Sequence, residues 1–214
     1  MKTTTLLFIS LITLSCGGSG SSVRSGSSPS WKETGTSADE FMKTAMKADA
    51  DYQASLQTYR EAFLYISLLI TNPRDAVRKD YRSALVFAES VGSQFTKPDQ
   101  LAAQFSAQQM LVKEAIEADG DVLRNLQMLM RELPSAKATL TQLNTTGKNL
   151  SEQGTGVLER AVTESTDQAT VSRIRVSVSG MTETMTGIHQ KAPGLMENIS
   201  RLIETVNQVS TGLQ

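Results

Sequence analysis

The chain has a single cysteine and a single histidine among its 214 residues. One thiol cannot close an intramolecular disulfide, and one histidine beside it cannot furnish a multi-cysteine metal cluster or a zinc site. An excess of charge of one sign is also missing. The 21 basic and 22 acidic residues leave a net charge of −1, so no basic stripe points to nucleic acid as a partner. No run reaches the roughly 20 apolar residues of a membrane-spanning helix. The longest run in the body, "FLYISLLI" at 63–70, has the length of a buried helix segment. Dinucleotide-binding, Walker and G-x-S-x-G patterns are absent. Aromatic side chains are few, and all of them lie at or before Phe105.

What the sequence does have begins at its N-terminus. Met1-Lys2 gives a short positive start, and "TTTLLFISLITL" at 3–14 follows as an apolar stretch. A charged start followed by an apolar region of about 7 to 15 residues describes a secretory leader. The stretch ends in Thr13-Leu14-Ser15-Cys16, and residues 17–30, "GGSGSSVRSGSSPS", are nearly all Gly and Ser. These residues resemble the signal peptides of bacterial lipoproteins in a relaxed form, with Ser15 in place and the Leu one position late. The resemblance covers residues 1–16. It implies cleavage before Cys16, diacylation of the Cys16 sulfur (palmitate-type chains) and acylation of the new N-terminus. Gly17 after the cysteine resembles the outer-membrane sorting preference of enteric-type bacteria. Two or three acyl chains anchor stably, since each buried CH₂ adds about 0.8 kcal/mol. The Gly/Ser segment is a flexible coil spanning about 20 Å by the square-root law for such chains.

From residue 37 onward the spacing predicts helices. Ser37-Ala38-Asp39-Glu40 has the form of a capping box. Phe41, Ala45, Ala48, Tyr52, Leu56, Tyr59, Phe63, Ile66 and Ile70 then recur in steps of three and four, the apolar face of one long helix. Asn72-Pro73 ends it and starts a second helix, carrying Val77, Tyr81, Ala84, Leu85, Ala88 and Val91 and stopping at Gly92. A third is expected from Thr96-Lys97-Pro98-Asp99, with Leu101, Phe105, Val112, Ile116, Leu123, Leu126, Met130 and Leu133 inside, ending before Pro134.

Beyond Pro134, Leu140, Leu143, Leu150, Val157 and Ala161 keep helical spacing while Gly147 and Gly154 fall on the same stripe. Glycine in a helix interior costs about 1 kcal/mol relative to Ala. The cleanest pattern follows. Val171, Ile174, Val178, Met181, Met185, Ile188, Ala192, Leu195, Ile199, Leu202, Val206, Val209 and Leu213 hold unbroken heptad register. Pro193-Gly194 predicts a kink or a turn in its middle. "RIRVSVS" at 173–179 also alternates with the period of a strand, but the heptad is far longer and predicts helix. The expected fold is all-α: an elongated antiparallel bundle or coiled coil of about four to six helices. Its expected organisation is a leader at 1–15, a lipidated Cys16 and disordered tether at 16–36, and an aromatic-containing three-helix bundle at 37–133. An aromatic-free heptad region at 134–214 packs on that bundle, because Leu, Ile, Val and Met without aromatic volume suit a slim seam.

Candidate chemistry is sparse. His189 lies next to Ile188 with no local nucleophile or carboxylate partner and reads as a surface or boundary residue. "EAIEADGD" at 114–121 gathers Glu114, Glu117, Asp119 and Asp121 around Gly120, without the calcium-loop spacing. It reads as a solvated helix face or a break at Gly120, and "KADAD" at 47–51 reads as another polar face. Asn144, Asn149 and Asn198 head N-x-[ST] triplets that carry no meaning in a bacterial helix. Met110, Met128, Met130, Met181, Met185 and Met196 are gap-fillers of a thin core or an adaptable binding face. Trp31 docks on the bundle or rests at a lipid interface.

No catalytic, cofactor or metal residue is expected. The expected function is a non-enzymatic, membrane-anchored envelope lipoprotein, outer-membrane by the resemblance, that scaffolds a protein partner or self-associates. Two alternatives stand beside it. One is a bundle binding a small ligand or peptide, supported by the polar stripe positions Gln109 and Asp119. The other is a membrane-active helical protein using "FLYISLLI".

Overall fold

The computed structural model describes residues 31–77, 80–116, 121–164 and 167–213, with side chains from Asp39 onward except those of Val77, Ala115 and Ile116. The leader, Cys16, the Gly/Ser segment, Glu117, Asp119, Gly120 and the Trp31 side chain lie outside this description. The chain is all-α, with six helices among the described residues: α1 (Trp31–Thr71), α2 (Pro73–Val77), α3 (Tyr81–Val91), α4 (Pro98–Ile116), α5 (Asp121–Glu164) and α6 (Gln168–Gly212).

Local signals set most boundaries. α2 begins on Pro73, whose missing N–H is no loss in a first turn. Asp80 caps α3, its carboxylate accepting from the Ser83 N–H at 3.1 Å and from the Ser83 hydroxyl at 2.7 Å. Those bonds hold the Asp80 carboxyl below its usual range. Gly92 ends α3 at φ +69°, a left-handed conformation that favours glycine. At the head of α4 the Gln100 side chain accepts from the Thr96 and Lys97 N–H groups at 2.8 and 3.2 Å. Asp167 caps α6 by accepting from the Ala169 N–H at 3.0 Å.

Several expectations are corrected. α1 is already helical at Trp31, so Ser37 and Glu40 sit inside it; no proline lies between 31 and 37 to delay the start. The helix expected to end before Pro134 instead runs through it. α4 ends at Ile116, and α5 runs unbroken from Asp121 to Glu164. The two helices do not share one phase, so Val122 and Leu129 are buried while Leu123 and Met130 face solvent. Val91 is likewise 58% exposed rather than in the core. Pro134 and Pro193 each lie on the exposed face of a continuous helix. There water can take the carbonyl that each proline frees. The cost, about 3 kcal/mol, is set against buried neighbours such as Leu133, Leu140, Ile188 and Leu195, each contributing about 1.5–3 kcal/mol. The stretch at 173–179 is helix, with no strand among the described residues.

The heptad of α6 is its core face: twelve of the thirteen positions are buried and Leu213 packs partly against them. Its neighbours are fixed by pairings whose order reveals direction. Along α5 and α6, Gly154 meets Met181, Gly147 meets Met185, and Thr141 meets Met196. Numbers fall on one helix as they rise on the other, so α5 and α6 are antiparallel. Along α4 and α6, Asp99 pairs with Arg201, Ser106 bonds Gln208 at 3.0 Å and Gln109 bonds the Gly212 carbonyl at 3.1 Å. These two helices are parallel. α1 also runs parallel to α6: Met42 near its start lies against Gly180 of α6, while Tyr65 near its end bonds Asn125 at the start of α5, the helix that runs against α6.

The bundle therefore has two cross-sections. Near the start of α1 it is a three-helix seam of α1, α5 and α6. At the other end α4 joins them, and α2 and α3 pack on α1. The wide end holds Phe63, Tyr65 and Phe105, all buried, with Tyr59, Tyr81, Phe87 and Phe95 packed against the core. "FLYISLLI" is its centre, with Tyr65, Ile66, Leu69 and Ile70 wholly buried. The narrow seam is filled by Ala45, Ala48, Val178, Met181 and Met185. Aromatic volume thus tracks the number of helices to be bridged.

Candidate functional site

The narrow end brings glycine against methionine. A Cβ on Gly154 would lie 2.5 Å from Met181 Cε, and one on Gly147 would lie 3.0 Å from Met185 Cε. On the α1 side a Cβ on Gly180 would lie 3.0 Å from Met42 Cε. The helices approach closely because the stripe positions lack side chains, and long unbranched thioethers fill the hollows. Met181 and Met185 are core residues. Met110 is 77% exposed and Met130 faces solvent, so those two are not gap-fillers.

Beside this seam a groove of about 530 Å³ opens between α1 and α6. Its apolar lining comes from Met42, Met46, Tyr52 and Ile188, with Gly187 presenting bare backbone. A Cβ on Gly187 would meet nothing within 4 Å. Three charged residues line the same groove: Asp49 from α1, and Glu183 and Lys191 from α6. Asp49 and Lys47, the latter exposed beside it, belong to the polar face read at 47–51, but Ala48 between them is buried. Tyr52 is only 7% exposed, and its hydroxyl makes no hydrogen bond to a described residue. No buried polar side-chain atom among the described residues lacks a partner. The hydroxyl therefore reaches solvent, and Tyr52 is one of the residues that line the groove.

A second polar cluster lies at the wide end. The Asn125 side-chain amide donates to the buried Tyr65 hydroxyl at 3.1 Å, and the Tyr65 and Tyr81 rings stack tilted at 5.0 Å. Burial pushes the Tyr81 phenol well above its usual range, helped by the nearby charges of Glu61 and Glu132. Glu132 is itself raised, by burial first and by Glu61 second. Together with Ser67 and Ser93, whose hydroxyls bond at 2.8 Å, these groups pin α1, α3 and α5 in register. The Asn125–Tyr65 and Ser67–Ser93 bonds are satisfied within the bundle, and none of these residues lines the α1–α6 groove.

The remaining sequence-predicted residues are dispersed. His189 is exposed, its Nδ1 2.6 Å from the Asn144 side-chain oxygen across α5 and α6. Gln109, expected as a buried polar position, is exposed and reaches the Gly212 carbonyl; α4 turns that side chain outward from Leu101, Phe105 and Val112. Glu114 is exposed and Asp121 pairs with Arg124. Among the described residues no three His, Cys, Asp or Glu side chains gather as metal ligands. No helix among them is long and apolar enough to cross a membrane. Sequence reading missed the groove, because Tyr52 and Ile188 register there only as stripe positions. The chain matches no family of known proteins, no curated protein and no solved structure.

Proposed function

We propose that this chain is a bacterial envelope lipoprotein, anchored through acylated Cys16, whose helical body is a non-enzymatic scaffold or protein-interaction module. The observation that carries the reading is the order of parts: an apolar leader, Thr13-Leu14-Ser15-Cys16, a Gly/Ser stretch, then a long bundle. An anchor there joins the body through the start of α1, so the wide end, with its aromatic core, is carried away from the lipid. α1 alone is 41 residues, about 60 Å at 1.5 Å per residue, a useful standoff for reaching a partner. In the outer membrane such a body would hold a second protein at a set distance from the bilayer. The expected test result is loss of membrane attachment in Cys16→Ala, read by detergent partitioning and fractionation. Retention of that variant in the membrane fraction refutes the anchor. A second reading, a bundle that also binds a small ligand, is favoured by the groove of about 530 Å³ between α1 and α6.

A further inference from the structure

We infer that two copies of this chain pair through the outer face of α4, helix against helix and antiparallel. The inference rests on the protein-interaction reading of the helical body and is independent of the lipid anchor. α4 packs on α6, α1 and α2, and its inner side chains Leu101, Phe105 and Val112 are buried. The opposite side carries a second apolar stripe. Ala103, Ala107, Met110 and Leu111 follow helical spacing there and all are exposed, Met110 by 77% and Leu111 by 60%. From Gln100 to Val112 no side chain is charged, a run longer than the uncharged stretch 62–73 at the centre of the core. A helix that is apolar on both sides is ordinarily covered on both. Interface cores are likewise poor in charge and rich in methionine. The adjoining end of α6 is uncharged from Thr205 on, so the border of the stripe beside Ser106 and Gln208 is neutral as well.

The stripe complements itself, which selects a second copy as the occupant. It is small at its start, at Ala103, and large at its end, at Met110 and Leu111, with Ala107 between them. A two-fold axis beside Ala107 lays Met110 and Leu111 of each copy over Ala103 of the other, the reciprocal contact of an isologous interface. Parallel pairing would stack Met110 on Met110, leave alanine facing alanine across a gap, and oppose Glu114 with Glu114. The antiparallel register instead brings Glu114, on the same face, toward Lys97 of the other copy. Both are exposed, and neither forms an ion pair with a described residue. α4 has 19 residues, about 28 Å of helix roughly 10 Å across. Such a face falls short of the roughly 800 Å² per partner of a standard interface, so the pair is a weak one that dissociates on dilution through the micromolar range.

The test uses the full-length chain carrying Cys16→Ala, which has the same α4 face and no native thiol. Sedimentation equilibrium should show the mass rising from one chain to two with concentration. Met110→Glu/Leu111→Glu should raise the dissociation constant about a hundredfold or more and retain the melting transition, because both side chains are already exposed. Val86→Glu, on α3 and 64% exposed, should change nothing. For the register, Ala103→Cys chains are mixed with Leu111→Cys chains and oxidised in air with copper phenanthroline. Disulfides should join the two kinds of chain and not like with like. A chain that stays monomeric at every concentration, a dimer indifferent to the double glutamate substitution, or disulfides between like chains overturns the proposal. The anchor is read separately, by membrane fractionation, and none of these results bears on it.

Discussion

Gly154→Ala sets two effects of known sign against each other. Alanine in a helix interior is favoured over glycine by about 1 kcal/mol. At Gly154 the new methyl would sit 2.5 Å from Met181 Cε and 3.3 Å from Val178 Cγ1. Met181 could swing its terminal methyl aside, but it is fully buried and would have to find room in a close-packed seam. Val178 is β-branched and has little rotamer freedom on a helix. Overpacking of this kind costs about 1–3 kcal/mol, so the net change runs from nothing to about 2 kcal/mol of destabilisation. Gly156 and Gly194 are the controls, because a Cβ there meets nothing within 4 Å. Gly156→Ala should express the propensity gain of about 1 kcal/mol undiminished, raising Tm by roughly 2–4 °C for a chain of this size. Urea and thermal melts followed by circular dichroism measure both, and Met181→Leu, which removes the terminal methyl, should recover part of the loss in a double-mutant cycle. Equal stabilisation by Gly154→Ala and Gly156→Ala would refute the claim that α5 and α6 close on each other through missing side chains.

The other predictions concern the two prolines and one carboxylate. Pro134→Ala and Pro193→Ala each restore a backbone hydrogen bond on a solvent face, and should raise stability by up to about 3 kcal/mol without altering the fold; a loss of stability in either melt would mean that the kink itself aids packing. Glu132 has a carboxyl raised above its ordinary value of 4.5 by burial and by Glu61, so its ionisation opposes folding at neutral pH. That cost is relieved as pH falls through the raised value and is gone below the ordinary one, where both states are protonated. Glu132→Gln should therefore raise Tm at neutral pH and lose this advantage near about pH 4; a constant difference across that range would refute it.

Much of the fold is legible in residue spacing. The α6 heptad names its buried face almost residue for residue, and Asn72-Pro73, Gly92 and Thr96 to Asp99 mark real boundaries. The α5 error was also avoidable from spacing. Val122, Leu126, Leu129, Leu133, Ala136 and Leu140 step by four and three straight across Pro134 and onward to Ala161. That register outweighs a proline on the outer face. The stripe drawn through Leu123 and Met130 failed because it assumed one phase across residues 117–120.

Sequence by itself determined that this chain is helical, where its apolar faces lie, and that its aromatic volume is confined to part of it, because helical period and side-chain size are local properties. Only the tertiary structure decided that α4 lies parallel to α6 while α5 runs against it. It also set Gly147 and Gly154 against the methionines of α6, turning two weak helix positions into close contacts. The groove belongs to the same class: Tyr52, Asp49 and Glu183 share it only because α1 and α6 lie parallel in one particular register. A periodic stripe fixes which side of a helix is buried; which partner covers it, and at what level, is settled by packing between residues far apart in the chain, from Gly154 against Met181 to Asp99 against Arg201.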